Sequence, residues 1–262
     1  MTGEIVERVR RSTRYRAVDP ELVARLASEE LAKARNVDDA VKRVKRRLHQ
    51  AVGAFRSGRA PSSGRWPADD PAALRRACLD AMRGHASTRE RVPHLDAFYP
   101  AIWAITGVPR RVLDLGCGLN PLALPWMGIG AATYHAIDVE ASGLDLVRGF
   151  LEAAAQPHVV ELRDLVADTP TEPADVVLLL KLVTTLDRQH ADAAATLLRA
   201  LRADHAVVSF AARSLGGRVS HERTYRSRLD RLVADAGCVR DITERSVPGE
   251  LVFVLELEPA HG

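Results

Sequence analysis

The sequence has no apolar run near the roughly 20 residues needed to cross a bilayer, and its most apolar stretch, residues 176–180, is strand-sized. Its first ten residues carry charges where a secretion signal needs an apolar stretch, so a cytoplasmic protein is expected. The three cysteines, Cys78, Cys117 and Cys238, are odd in number and widely spaced. That supports neither a disulfide framework nor a zinc cluster, and the three are read as small, mostly buried residues. Lysine is scarce beside arginine, and no internal repeat is present.

What is there is a chain of 262 residues, 47% hydrophobic, with its charge unevenly spread. Residues 1–107 hold 21 Lys/Arg against 13 Asp/Glu, a net +8, whereas residues 108–262 hold 16 against 21, a net −5. A basic front on an acidic back suggests a polyanion-binding module joined to a catalytic domain; a solvated helical surface is the plainer alternative.

From Ile5 to Phe55 the apolar residues recur at helical intervals, including Leu22, Leu26, Val41, Val44 and Leu48. Asp19-Pro20 marks one helix start, and Asn36 caps the next, whose polar face displays Lys42, Arg43, Lys45, Arg46 and Arg47. Residues 56–71, rich in Gly, Ser, Pro and Arg, read as a loop. Helices are expected over 72–83 and 95–105, and Gly107-Val-Pro109 marks a boundary. Beyond it, apolar runs at 111–115, 133–137, 158–162, 175–180 and 206–210 alternate with helical stretches. This pattern predicts an α/β fold with a mostly parallel sheet, closed by an antiparallel hairpin from 239–243 and 251–257.

The first strand runs into Asp114 and then Gly116-Cys-Gly118, which lets backbone approach a ligand at the carboxyl edge of the sheet. Pro121 stands where a dinucleotide loop needs its third glycine, so NAD is not expected. The loop instead suits the amino acid half of S-adenosylmethionine, although a tight turn alone would also explain it. Asp138 ends the next strand about 20 residues on, where a carboxylate meets a ribose diol. Asp164 and Leu165 follow the third strand, where a carboxylate can accept from an adenine amino group and an apolar neighbour can cover the ring.

Several motifs make the likeness more specific. They are Lys45-Arg-Arg-Leu-His49, His85-Ala-Ser-Thr-Arg-Glu-Arg91, Cys117-Gly-Leu-Asn-Pro-Leu-Ala-Leu124, Leu178-Leu-Leu-Lys181 and Val208-Ser-Phe-Ala-Ala-Arg-Ser-Leu-Gly-Gly-Arg218. On these, over nearly its whole length, the sequence resembles the aminoglycoside-resistance 16S rRNA methyltransferases of the Arm/Rmt/Sgm/Kgm type. The resemblance implies a Rossmann-like class I methyltransferase sheet over 108–262 and a helical N-terminal domain over 1–107 that docks on the 30S subunit. It implies methylation of N7 of guanine 1405 in 16S rRNA, by a monomer without metal, and resistance to drugs such as gentamicin and kanamycin. Arg91 would hold the cofactor carboxylate, Gly116 and Gly118 its methionine portion, Asp138 the ribose, and Asp164 with Leu165 the adenine. A structural ion pair is the other reading of Arg91.

Guanine N7 is already a lone-pair nucleophile, so positioning suffices and no acid–base residue is expected. The base would have to leave its helix. Lys42, Lys45 and Arg46 are expected on rRNA phosphates. Lys181 and Arg213 are candidates for the target nucleotide, with pairing to internal acids as the alternative. The chain departs from the family pattern at Thr184, Ala211, Ala212, Ser220 and His221, all in target-facing segments. Alternatives are another rRNA nucleotide, a small-molecule substrate, which the basic helix disfavours, or a non-catalytic RNA-binding protein, which the intact cofactor motifs disfavour.

Overall fold

A computed structural model of the chain describes residues 1–53, 66–211 and 222–258. Most of the loop expected at 56–71, and Ala212, Arg213, Ser220 and His221 with the Ser-Leu-Gly-Gly-Arg motif, lie outside these residues.

The N-terminal helices are α1 (Thr2–Arg10), α2 (Pro20–Leu31) and α3 (Val37–Leu48), the last extended by one wider turn at His49–Gly53. Both expected caps are made. Asp19 accepts from the Glu21 N–H at 2.9 Å with Pro20 in the first turn, and Asn36 accepts from the Asp39 N–H at 2.9 Å. Ile5, Val9, Leu22, Leu26, Val44 and Leu48 bury their side chains in a cluster of their own.

Next come α4 (Pro71–Arg83), α5 (Ala86–Arg89) and α6 (Leu95–Thr106). Their apolar residues Cys78, Met82, Phe98, Tyr99 and Ile102 join the cluster that covers one face of the sheet, so this helical stretch packs as part of the sheet's own core.

Among the described residues seven strands form one sheet: β1 (Arg111–Leu115), β2 (Thr133–Asp138), β3 (His158–Leu162), β4 (Ala174–Leu180), β5 (Ala203–Ala211), β6 (Val239–Val247) and β7 (Glu250–Leu257). Their order is β3-β2-β1-β4-β5-β7-β6. Pairing is parallel from β3 through β5, with Leu113 opposite His135 and Val177, and antiparallel on both sides of β7. The closing hairpin is present, but β6 continues four residues beyond the expected Thr243. The polar run Glu244-Arg-Ser246 hid it, in a strand that ends the sheet order beside β7.

After β1 come a short turn at Asn120–Ala123 and α7 (Leu124–Met127). The later helices are α8 (Ala141–Ala153), α9 (Val183–Gln189), α10 (Ala193–Ala200) and α11 (Glu222–Ala236). Phe150 on α8 joins the first face cluster, while Leu186, Leu198 and Leu232 on α9, α10 and α11 cover the other. The turns after β1, β2, β3 and β4 therefore open at one edge of the sheet, where ligands of such folds bind. Cys78 and Cys117 are buried and Cys238 half-buried, all as free thiols. No helix among the described residues is long and apolar enough to cross a membrane.

Candidate active site

The turn after β1 needs both of its glycines. Gly116 and Gly118 sit at φ +60° and +51°, in the left-handed region that side chains avoid. A Cβ on Gly116 would stand 2.6 Å from Leu182 Cδ1, and one on Gly118 would stand 3.2 Å from His85 Cε1. The turn is tied to the end of β2 by the Cys117 N–H, which donates to the Ile137 carbonyl at 3.0 Å, and by the Gly118 N–H, which donates to Asp138 Oδ2 at 2.8 Å. Asp138 Oδ1 accepts from the N–H groups of Val139 at 2.7 Å and Glu140 at 3.1 Å. Burial pushes the Asp138 carboxyl up from its ordinary pKa, against the pull of these backbone donors.

This turn borders a cavity of about 190 Å³ at the carboxyl edge of the sheet. Arg91, Gly116, Gly118, Asp138, Asp164 and Leu165, all six residues expected to hold the cofactor, line it, and Lys181 lines it too. Ala51 and Val52, at the end of the third N-terminal helix, close one wall, while His85 lines it from just before α5 and Ser87 from its first turn.

Behind the cavity runs a buried polar chain. Asp114 Oδ2 accepts from the Tyr134 hydroxyl at 2.6 Å and from Asn120 Nδ2 at 2.9 Å. Asn120 Oδ1 accepts from the Tyr99 hydroxyl at 2.7 Å and from Arg91 Nη1. Arg91 also grips both oxygens of Glu250, at 3.0 and 2.8 Å, and its guanidinium lies over the Phe98 ring. Glu250 accepts in turn from the Ser209 hydroxyl at 2.8 Å and lies 3.3 Å from Lys181 Nζ.

Desolvation and charge compete along this chain. Burial raises the Asp114 carboxyl to about 6, with the bonds from Tyr134 and Asn120 opposing it. Burial would also raise Glu250, yet the neighbouring charges of Arg91 and Lys181 hold it below the ordinary carboxylate value. The structure shows the ion pair that the sequence left open as the other reading of Arg91. Arg91 also lines the cavity. Its N–H groups go to Glu250 and Asn120, with the Tyr99 hydroxyl as a further neighbour.

Lys181, just past β4, has φ +59°, an uncommon conformation for a side-chain-bearing residue. Its ammonium donates to the Ser87 carbonyl at 2.9 Å and to Glu90 Oε2 at 2.7 Å, the internal pairing that the sequence left open as an alternative. The basic stripe of α3 is divided. Lys42 and Arg46 are exposed and Lys45 half-buried, but Arg43 donates to Glu30 at 2.7 Å and Arg47 to Glu29 at 2.6 Å. Those two arginines are structural because Val41, Val44 and Leu48 turn that flank of the helix toward α2.

Asn120, Glu250 and Arg25 escaped sequence reasoning. Asn120 lay within the Gly-Leu-Asn-Pro motif without a role. Glu250 offered one signal, an acid opening the apolar strand 250–257. Arg25 offered none: it donates to Asp164 from 139 residues away.

The family model described as Ribosomal RNA methyltransferase (FmrO) matches residues 11–254. The chain belongs to that family. A relative from Frankia casuarinae (strain DSM 45818 / CECT 9043 / HFP020203 / CcI3), a 16S rRNA (guanine(1405)-N(7))-methyltransferase, is 41% identical over 95% of this chain and 91% of its own length. A relative of the same description from Micromonospora rosea is 36% identical over 96% of this chain and 95% of its own. The crystal structure of the 16S rRNA methyltransferase RmtF in complex with S-adenosyl-L-homocysteine superposes with a TM-score of 0.82. It is 33% identical and covers 98% of both chains.

Proposed function

We propose that this ribosomal RNA methyltransferase uses S-adenosylmethionine to methylate N7 of guanine 1405 in 16S rRNA of the assembled 30S subunit, and that expression confers aminoglycoside resistance. The observation that carries this reading is the meeting of Arg91, Gly116, Gly118, Asp138, Asp164 and Leu165 at one cavity, in a chain whose relatives are described by that reaction. The donors and acceptors present fit the cofactor. The glycine turn brings bare backbone to the cavity, where a Cβ on Gly116 would press on the lining residue Leu182, and Arg91 in the lining is a cation suited to a carboxylate. Asp138 suits a ribose diol, and buried Asp164 beside Leu165 suits an adenine edge and face. A ribosomal substrate assigns the protein to the cytoplasm.

When bound, S-adenosylmethionine supplies a methyl group on a sulfonium that a neutral guanine N7 can attack without first losing a proton. The protein's residues accordingly hold and align the partners, and no side chain is assigned as acid or base. Exposed Lys42 and Arg46, with Lys45, supply the charges that meet rRNA phosphates. Lys181 and Arg213 are proposed for the target nucleotide; for Lys181 this requires exchanging its bond to Glu90 for one to RNA. Incubation with cofactor labelled on its methyl group tests the reading. Label should enter 16S rRNA of intact 30S subunits, and the absence of label from rRNA would refute it.

A further inference from the structure

Asp164 is more constrained than a free adenine acceptor needs to be. Its side chain is 3% exposed. Oδ2 accepts from Arg25 Nε at 2.7 Å, while Oδ1 accepts from Arg25 Nη2 at 3.2 Å and from the Val166 N–H at 3.1 Å. A carboxylate offers about four acceptor positions, so among the described residues one remains, on Oδ2. Asp164 lines the cavity.

The donor is itself held. Arg25 Nη1 donates to Glu29 Oε1 at 2.9 Å, and Nη2 also donates to Gln189 Oε1 at 3.0 Å, so its plane is fixed from α2 and from α9. The chain just before Arg25 grips the neighbouring ligand loop. The Asp19 N–H donates to the Val139 carbonyl at 2.9 Å, the Ala141 N–H to the Ala17 carbonyl at 2.8 Å, and Val18 forms an antiparallel bridge with Glu140. Residues 17–25 thus hold both the segment after Asp138 and Asp164 itself.

We infer that Arg25 is a positioning residue for the cofactor's adenine, orienting Asp164 to accept from the 6-amino group and so setting the preference for an aminopurine. The inference rests on the adenine role given to Asp164 above. A guanidinium fork contacts both oxygens of a carboxylate at once and fixes its plane, which a lysine cannot do. It also supplies the counter-charge that a carboxylate this buried needs. With Asp164 held, its remaining acceptor direction is set before the ligand arrives, which lessens the ordering cost of binding.

The test is calorimetry on the full chain with two ligands, S-adenosylhomocysteine and its analogue with purine in place of adenine. The wild type should prefer the amino compound by roughly ten- to a hundredfold, the range for a hydrogen bond to a charged group. Arg25→Met should weaken the amino compound by about tenfold or more and leave the purine analogue within about twofold, collapsing the preference. Arg25→Lys should retain part of it. Equal weakening of both ligands, with the preference intact, would overturn the inference by making Arg25 a mere structural support. A wild type without the preference, or an Asp164→Ala variant that keeps it, would instead remove the adenine role from Asp164, and the inference with it. Circular dichroism checks each fold. Should Arg25→Met not fold, Arg25→Lys decides: a preference reduced at least threefold supports the inference and an unchanged one overturns it.

Discussion

Arg91 and Glu250 stand 159 residues apart in sequence and meet side-on in the core. Arg91 Nε and Nη2 lie 3.0 and 2.8 Å from the two oxygens of one carboxylate, and the side chains are only 2% and 1% exposed. The pair joins the turn before α6 to the start of β7, the last strand, and Lys181 adds a second cation to the same acid. Glu250→Ala would leave buried Arg91 without its carboxylate, while Lys181 keeps Glu90. It should destabilise the protein by about 3–5 kcal/mol, as breaking a buried pair does. Urea unfolding measures this, and a destabilisation under about 1 kcal/mol would contradict it.

Asp114 contributes to stability in the opposite sense to a paired acid. Burial raises it from 3.8 to about 6, so the folded protein binds the extra proton between those values. Its contribution is full below about pH 3.8 and is lost as pH rises through about 6. Asp114→Asn removes this titration. The unfolding free energy of the wild type minus that of the variant should therefore fall between pH 4 and pH 7, by at most about 3 kcal/mol. A difference that stays flat or rises across this window would contradict the assignment.

Gly116 and Gly128 separate backbone strain from the space a ligand needs. Both have positive φ, +60° and +63°, so alanine at either should cost about 1–2 kcal/mol of stability. At Gly128 an added Cβ meets nothing within 4 Å, whereas at Gly116 it would strike Leu182 beside the cavity. Gly116→Ala should weaken S-adenosylhomocysteine at least about tenfold by calorimetry, and Gly128→Ala should leave it unchanged. Equal effects would show that the turn's shape beside the cavity does not matter for binding.

The two kinds of basic residue on α3 should respond differently. Lys42→Glu with Arg46→Glu reverses exposed charge and should weaken 30S binding. The slope of log affinity against log salt should fall by about one for each phosphate no longer neutralised, with thermal stability kept. Arg47→Ala should instead lower thermal stability, because Arg47 joins Glu29 and Glu30 to the Gln189 carbonyl across the two helical layers. A stability decrease in the first variant and none in the second would reverse the assignment.

Sequence periodicity revealed the elements whose partners are solvent or a single apolar face. Asp19-Pro20 and Asn36 announced α2 and α3 because capping is local, and the apolar runs of β1, β2, β4 and β5 announced strands that feed the clusters on both faces of the sheet. Gly116, Gly118, Asp138, Asp164 and Leu165 were legible because each stands at or just past the end of a strand, whereas Arg91, ahead of β1, was named only by the family resemblance. Asp138 and Asp164 needed no knowledge of distant partners. Glu250, Asn120 and Arg25 were not legible as site residues, since their meaning lies in partners 29 to 159 residues away. Arg43 and Arg47 misled for the converse reason: a charge on a helix looks solvated until the acids on the facing helix are known.

The target nucleotide is tested most directly by strand scission. Intact 30S subunits are incubated with the protein and S-adenosylmethionine, and the 16S rRNA is then reduced and cleaved at N7-methylguanine. Scission should appear at guanine 1405, the position in the relatives' description, and should disappear with Asp138→Ala. Scission at a different guanine, or label in the rRNA without any scission, would contradict methylation of that N7.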